Sequence, residues 1–269
     1  MSTSEFNLAS LRSRLSHLPI AGIMYHEITG STNDDALQWL DQGAEDGSLV
    51  VADEQTSGRG RMQRKWITRK GTALAFSLIF RPAKQQYLSL YAPLGALGVC
   101  AALEQQGNIQ PQIKWPNDVL IRGRKISGIL AEAAWQDDRL KGIVLGIGIN
   151  VASTAVRLED GFLFPADSVQ NCLGKEIDRM DLLVEILRSI FFWRQKLDSP
   201  EFIQEWNNRL AFRGEEIRIN RPGQGPLIGE VLRIAPDGVL WIRQKNGREI
   251  PVLAGDVESG MINTMRPEE

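Results

Sequence analysis

Two kinds of hydrophobic pattern are mixed along the first 213 residues. Leucines recur at helical spacing in residues 8–18, 86–104 and 180–197, which predicts three helices. Short apolar runs, typical of strands, lie at residues 24–28, 48–54, 72–80, 112–115, 119–121, 128–134 and 142–149. Because several strands follow one another without an intervening helix, the pattern predicts an α+β domain with a mixed, largely antiparallel sheet.

The pattern changes at residue 214, where short apolar runs alternate with turn sequences. The runs lie at residues 216–219, 227–234, 239–243 and 249–253. Pro236-Asp237-Gly238 and Asn246-Gly247 between them are typical of β-hairpin turns. The sequence therefore predicts two domains: a larger one over residues 1–213 and a small all-β barrel over residues 214–269.

Composition narrows the class of protein. The chain has 269 residues, 43% hydrophobic and 24% charged, with a formal charge of −2, so the molecule as a whole has no bias toward nucleic acid. Cys100 and Cys172 have no metal-ligand spacing, and His17 and His26 are the only histidines, which disfavours a zinc site or a histidine-dependent triad. No signal core and no apolar run of membrane-spanning length is evident, so we expect a cytoplasmic protein with no membrane partner.

The most informative polar segment is the arginine loop, residues 58–65, which lies between two predicted strands. It carries Arg59, Arg61, Arg64 and Lys65 with no acidic residue among them, and Gly58 and Gly60 make its backbone adaptable. Guanidinium groups match phosphate and carboxylate oxygens. The loop is therefore a candidate polyanion site, with a solvated surface turn as the alternative.

A second polar segment follows the strand at residues 112–115. Pro116-Asn117-Asp118 predicts a turn, and Gly123 marks a hairpin tip before Lys125. Two strands joined in this way can bring Asp118 and Lys125 together, where an ammonium group could stabilise developing negative charge. The alternative is that Lys114 and Lys125 are exposed strand lysines and that Asp118 only caps its turn.

Residues 146–150 resemble the start of a dinucleotide-binding motif but are not one, because no helix follows them. Asn150, at the end of this segment, could contact a ligand or be a satisfied buried amide.

Five motifs in register resemble the biotin protein ligases over residues 24–150. They are Ser31-Thr-Asn33 with Gln55, Gly58-Arg-Gly-Arg61 with Lys65-Trp66, Lys114-Trp-Pro-Asn-Asp118, Arg124-Lys-x-x-Gly-Ile129 and Gly146-Ile-Gly-Ile-Asn150. The resemblance implies a catalytic domain of the class II synthetase-like, biotin/lipoate ligase type and a C-terminal SH3-like barrel. It also implies that biotin and ATP, with Mg²⁺, form biotinyl-5′-AMP and pyrophosphate. Biotin then passes to one lysine of a biotin carboxyl carrier protein.

The resemblance assigns roles to individual residues. The expected biotin contacts are Ser31, Thr32, Asn33, Gln55, Arg59, Gly60, Arg61, Lys125 and Gly128. The expected nucleotide contacts are Arg61, Arg64, Trp66, Lys125 and Asn150, although Trp66 could instead be a core residue. The expected catalytic residues are Lys125, Arg59, Arg61 and Asp118, the last positioning a metal or the incoming lysine. The metal ligands are left open.

The sequence differs from some biotin protein ligases in two places, and two other functions are possible alternatives. About 23 residues precede the first predicted strand, too few for the winged helix of the repressor forms, so no DNA partner is expected. Residues 255–260 lack the arginine that some relatives place near the nucleotide. The nearest rival is a lipoate or octanoate ligase of the same fold, and a rival of another class is a nucleic-acid-binding adaptor that uses the basic loop. A homodimer is neither supported nor excluded.

Overall fold

A computed structural model describes residues 6–82, 85–157, 160, 164–221 and 223–258. A seven-stranded sheet with the order β1-β2-β3-β7-β6-β5-β4 organises the larger part of the chain. Only the β1–β2 pair is parallel and the others are antiparallel, which confirms the predicted mixed, largely antiparallel sheet. The strands are β1 (Ile23–Thr29), β2 (Leu49–Gln55), β3 (Ala73–Phe80), β4 (Gln112–Lys114), β5 (Asp118–Ile121), β6 (Arg124–Gln136) and β7 (Arg139–Asn150).

Six α-helices accompany the strands in the described part of the chain. They are α1 (Leu8–Leu15), α2 (Thr32–Asp41), α3 (Tyr91–Gln106), α4 (Val169–Leu173), α5 (Arg179–Arg194) and α6 (Pro200–Asn208). Helices α3 and α5 pack together over the main core, where Gly95 of α3 lets Ile129 and Ile147 of the sheet approach closely. Helix α2 packs against β3 and β7 in a separate, smaller core.

The C-terminal residues form a second sheet of five antiparallel strands with the order β11-β10-β9-β8-β12. The strands are β8 (Glu216–Asn220), β9 (Leu227–Ile234), β10 (Leu240–Arg243), β11 (Glu249–Val252) and β12 (Asp256–Glu258). Alternate residues of β8 and β9 are buried, as expected for a sheet with one face on a core. The all-β tail is confirmed, whereas the boundary between residues 213 and 214 stays a prediction.

Helix α3 corrects one expectation from the sequence. A helical stretch, Tyr87–Gln106, is long and apolar enough to cross a membrane by length and composition alone, although no apolar run was expected to reach that length. In this fold, 67% of its most apolar window is buried inside the protein. The apolar side chains of α3 therefore pack in the core of the protein, where Leu94, Leu97 and Leu103 are fully buried.

Candidate active site

Glycines on the two longest strands open a cavity on the sheet face opposite α3. Gly128 of β6 pairs with Gly148 of β7, and Gly146 lies two residues before Gly148 on β7. The cavity above them measures about 360 Å³, a size typical of ligand pockets. All the residues to which the family resemblance assigned a role line it: Ser31, Thr32, Asn33, Gln55, Arg59, Gly60, Arg61, Arg64, Trp66, Asp118, Lys125, Gly128 and Asn150.

A network of amides and hydroxyls forms one end of this cavity, at the start of α2. The backbone N–H of Thr32 donates to Gln55 Oε1 at 2.8 Å, and Gln55 Nε2 donates to Thr68 Oγ1 at 3.0 Å. The Ser77 hydroxyl donates to Asn33 Oδ1 at 2.6 Å and lies 2.8 Å from Thr32 Oγ1. Thr32, Asn33, Thr68 and Ser77 are buried and Gln55 is half-buried, and because all five are hydrogen-bonded, their donors and acceptors are held in fixed positions. Sequence reasoning missed Ser77 and Thr68.

Arg59 is tied to the same end of the cavity by acidic residues. Its guanidinium donates to both oxygens of Glu132 at 2.9 and 2.8 Å and lies 2.6 Å from Asp34. Burial alone would lower the pKa of Arg59, but the hydrogen bonds and charges of Glu132 and Asp34 outweigh it and raise the pKa. Glu132 also accepts from Asn33 Nδ2 at 2.7 Å. Sequence reasoning missed Glu132, although its spacing of four from Gly128 on one strand places both on the same face.

Asp118 lies between two ammonium groups at the opposite end. Its Oδ1 lies 2.7 Å from Lys125 Nζ, and its Oδ2 lies 3.0 Å from Lys114 Nζ. Burial alone would raise the pKa of Asp118, but the charges and hydrogen bonds of Lys125 and Lys114 prevail and hold it below its usual range. The predicted approach of Asp118 to Lys125 is confirmed. The alternative of an exposed Lys114 is wrong, since its side chain is 6% exposed and also donates to the Val257 carbonyl at 3.3 Å.

The remaining arginines of the loop point to the C-terminal sheet. Arg61 Nη1 lies 3.2 Å from Asn117 Oδ1 and 3.2 Å from Asp256 Oδ1, and Arg64 forms an ion pair with Asp256. Sequence reasoning sought a basic residue in segment 255–260 and missed this acidic one; residues 259 and 260 lie outside the described part. The tail thus reaches the cavity through a carboxylate.

Trp66 lies over the glycines of the cavity floor. A Cβ atom added to Gly148 would lie 2.2 Å from its Cε2 atom, and one added to Gly128 would lie 3.1 Å from its Cζ3 atom. Lys125 Nζ lies 5.6 Å from the centre of the indole ring. The indole Nε1 is buried and has no hydrogen-bond acceptor among the described residues. Trp66 therefore both lines the cavity and packs against its floor.

Asn150 ends β7 at the edge of the cavity. Its side chain is buried, and Nδ2 donates to the Asp167 carbonyl at 3.1 Å. Asn150 also lines the cavity. The two interpretations of Asn150, a ligand contact and a satisfied amide, are therefore compatible in this structure.

Comparison with known proteins identifies the family. Residues 25–150 match the model of the biotin/lipoate A/B protein ligase family. The chain is 34% identical over 248 residues to the bifunctional ligase/repressor BirA of Bacillus subtilis, covering 88% of this chain and 74% of that protein. It is 33% identical over 235 residues to the biotin–[acetyl-CoA-carboxylase] ligase of Mycobacterium tuberculosis, covering 85% of each.

The chain belongs to the biotin protein ligase family. Its fold agrees, because the biotin protein ligase from Aquifex aeolicus, solved in complex with biotin and ATP, superposes with a TM-score of 0.74 and 28% identity. The superposition covers 89% of this chain and 98% of that one. The α+β fold class with a C-terminal antiparallel sheet is therefore that of the biotin protein ligases.

Metal-binding side chains do not cluster in the described part of this ligase. The described residues contain no cluster of three histidine, cysteine, aspartate or glutamate side chains that could hold a metal ion. Both oxygens of Asp118 already lie within 3.0 Å of a lysine ammonium group, which opposes a cation there. The expectation that Asp118 positions a metal is thus not supported by its surroundings.

Proposed function

We propose that this protein is an ATP-dependent biotin–protein ligase. It activates biotin as biotinyl-5′-AMP and transfers the biotinyl group to one lysine of a biotin carboxyl carrier protein. The observation that carries the proposal is the convergence, in one cavity, of a hydroxyl and amide end, an arginine loop and the Lys125–Asp118 ion pair. These three parts match the three chemical parts of the reaction: a ureido ring, a polyphosphate and a carboxylate that must attack phosphorus.

The hydroxyl and amide end fits the ureido ring of biotin. Thr32, Asn33 and Gln55 offer both donors and acceptors at fixed positions, while Ser31 starts the same helix. The glycines of β6 and β7 let Asn33 and the Trp66 indole pack directly against the strand backbone, which leaves the space between these side chains for biotin. Biotin in this position directs its carboxylate toward Lys125, and the reacting groups gain from being held together.

Adenylation requires that one carboxylate oxygen of biotin attack the α-phosphorus of ATP. The bond from this phosphorus to the bridging oxygen of the β-phosphate breaks, and pyrophosphate leaves. Lys125 stabilises the negative charge on the α-phosphoryl oxygens, and Asp118 holds its ammonium group 2.7 Å away. Arg61 and Arg64 bind the phosphates, and Trp66 and Asn150 contact the nucleoside.

Transfer follows when the carrier lysine, as a free amine, attacks the acyl carbon of the adenylate. An amide bond forms, the amine loses a proton, and AMP leaves. The arginine loop, with Arg59, Gly60 and Arg61, closes over the mixed anhydride and keeps water away from it. The hydrogen bonds of Arg59 to Glu132 provide an anchor point for the closed position.

Magnesium enters with ATP as part of the substrate in this proposal. Mg²⁺ keeps several waters and commonly binds substrate phosphates with only one or two protein carboxylates, so a ready-made protein cluster is not required.

We also place the enzyme in the cytoplasm, a proposal supported by its two free cysteines. Analytical ultracentrifugation would test whether the enzyme forms a homodimer.

Substrate choice tests the proposed function directly. The protein is incubated with ATP, Mg²⁺ and either biotin or lipoate, and pyrophosphate and acyl-adenylate are measured. We expect adenylate from biotin and transfer to an added carrier domain only when its acceptor lysine is intact. Activation of lipoate alone would replace this proposal by the rival ligase. Binding of nucleic acid at moderate salt, without any adenylate, would favour the adaptor instead.

Gly148→Ala should weaken nucleotide binding by about tenfold or more, because the new methyl group would collide with the Trp66 indole. Nothing lies within 4 Å of a Cβ added to Gly225, so Gly225→Ala is a matched control. Calorimetry with a non-reacting ATP analogue measures the effect. Equal affinities of both variants would remove Trp66 from the nucleotide site.

A further inference from the structure

Asp256 brings a carboxylate from the C-terminal sheet into the cavity of the larger sheet. It is the first residue of β12, and its side chain is 13% exposed. Its Oδ1 lies 3.2 Å from Arg61 Nη1, and its Oδ2 forms an ion pair with Arg64. A single carboxylate therefore engages two of the cations that a polyphosphate would need.

We propose that Asp256 is a positioning residue that serves as a resident counter-anion for Arg61 and Arg64, from which the phosphates of ATP displace it. The proposal rests on the nucleotide role that we gave both arginines above. Before nucleotide binds, Asp256 holds the arginine loop near its working position. When nucleotide binds, the two guanidinium groups exchange a carboxylate for phosphate oxygens.

The exchange follows from the chemistry of guanidinium groups. Carboxylate and phosphate oxygens bind the same fork of N–H donors, so the two anions compete for the same atoms. Arg61 is 28% exposed and Asp256 is 13% exposed, so water screens their attraction only in part. The Arg64 pair is more exposed on the arginine side, at 49%, and contributes less.

Competition of this kind lowers the apparent affinity for nucleotide. Only the protein molecules in which Arg61 and Arg64 are free of Asp256 can bind the phosphates. The apparent affinity for ATP is therefore reduced in proportion to the fraction of such molecules. Asp256 therefore makes ATP bind less tightly than the arginines alone would allow. The same carboxylate is available to take the guanidinium groups again when pyrophosphate leaves, which favours release of that product.

A neighbouring acid on the same strand provides a matched control. Glu258 lies two residues beyond Asp256, is exposed, and pairs with Arg218 at 3.5 Å and with Asn220 instead of the arginine loop. Glu258→Gln thus removes one negative charge from β12 without touching Arg61 or Arg64. Asp256→Asn removes the other charge and keeps the shape of the side chain.

The test measures binding of α,β-methylene-ATP by calorimetry with biotin present, for the wild-type protein and both variants. We expect Asp256→Asn to bind the analogue about tenfold more tightly and Glu258→Gln to bind it as the wild type does. Tighter binding is an outcome that structural damage would not produce. Unchanged or weaker binding by Asp256→Asn, with normal binding by the wild type, overturns this inference alone. If the wild type binds neither biotin nor the analogue, the proposed function fails and this inference fails with it.

Trypsin digestion without any ligand gives a second readout that is independent of nucleotide. The arginine loop contains four cleavage sites, Arg59, Arg61, Arg64 and Lys65, and all of them remain in both variants. We expect Asp256→Asn to be cut in the loop several times faster than the wild type, and Glu258→Gln at the wild-type rate. Equal rates for the three proteins would show that Asp256 does not hold the loop.

Discussion

Lys125→Ala is expected to slow formation of biotinyl-5′-AMP by about 100- to 1000-fold, the usual cost of removing one group that stabilises transition-state charge. The effect should fall on the rate of the chemical step, because the Lys125 ammonium group lies where charge develops on the α-phosphoryl oxygens. Affinity for biotin should change much less, since hydroxyls and amides at the other end of the cavity hold the ureido ring. Single-turnover measurement of pyrophosphate release at several biotin concentrations separates the rate of the chemical step from the affinity for biotin.

The fold should tolerate the loss of Lys125, which is 26% exposed and leaves Asp118 paired with Lys114. Lys141→Ala is the matched control, because Lys141 forms an ion pair with Asp41 outside the cavity at 2.6 Å. We expect Lys141→Ala to keep wild-type turnover. Near-normal turnover of Lys125→Ala, with intact melting behaviour, would remove Lys125 from the catalytic role.

Asp118→Asn is expected to lower the free energy of unfolding by about 3–5 kcal/mol at pH 7, because the substitution leaves the Lys114 charge buried without a compensating anion. Lys125 can turn toward solvent, but Lys114 is enclosed beside the Phe164 ring at 4.7 Å and the Val257 carbonyl. Chemical denaturation of the variant and of Asp41→Asn measures the effect. Asp41 is 65% exposed, so its variant should change stability by less than about 1 kcal/mol.

The cost of Asp118→Asn should also depend on pH. The pKa of Asp118 is lowered in the folded state, so its stabilising contribution is complete above the unfolded pKa of about 3.9. That contribution is lost as the pH falls through the folded pKa. The stability difference between the wild type and Asp118→Asn should therefore be constant near neutrality and shrink only in acid. If the stability difference between the wild type and Asp118→Asn shrank near pH 6, the pH dependence would come from a group other than Asp118.

The long periodic elements were predictable, whereas two of the short elements, α4 and β12, were not. Helices α3 and α5, of 16 residues each, repeat their apolar residues often enough to show the helical period. Helix α4 has five residues and β12 has three, too few for any period to be visible. Strand β12 exists because its backbone pairs with β8, where Asp256 lies opposite Asn220. Such a strand depends on its partner more than on its own composition.

The candidate site divides in the same way. Asp118 and Lys125 are joined by one hairpin, so their approach follows from local chain geometry. Glu132 lies 73 positions from Arg59, and Asp256 lies 195 positions from Arg61, and neither spacing carries a local signal. The burial of Lys114 could not be predicted either, because the Phe164 ring and the Val257 carbonyl beside it are distant in sequence.

The order of residues along this chain determined the fold class, the all-β tail and the motifs that line the cavity, because periodicity, turn chemistry and hairpin geometry are local properties. The tertiary structure alone decided which acid each arginine binds and how deeply Lys114 is enclosed. Ion pairing and burial depend on distances in space, and strands far apart in sequence become neighbours only when the two sheets meet around the arginine loop.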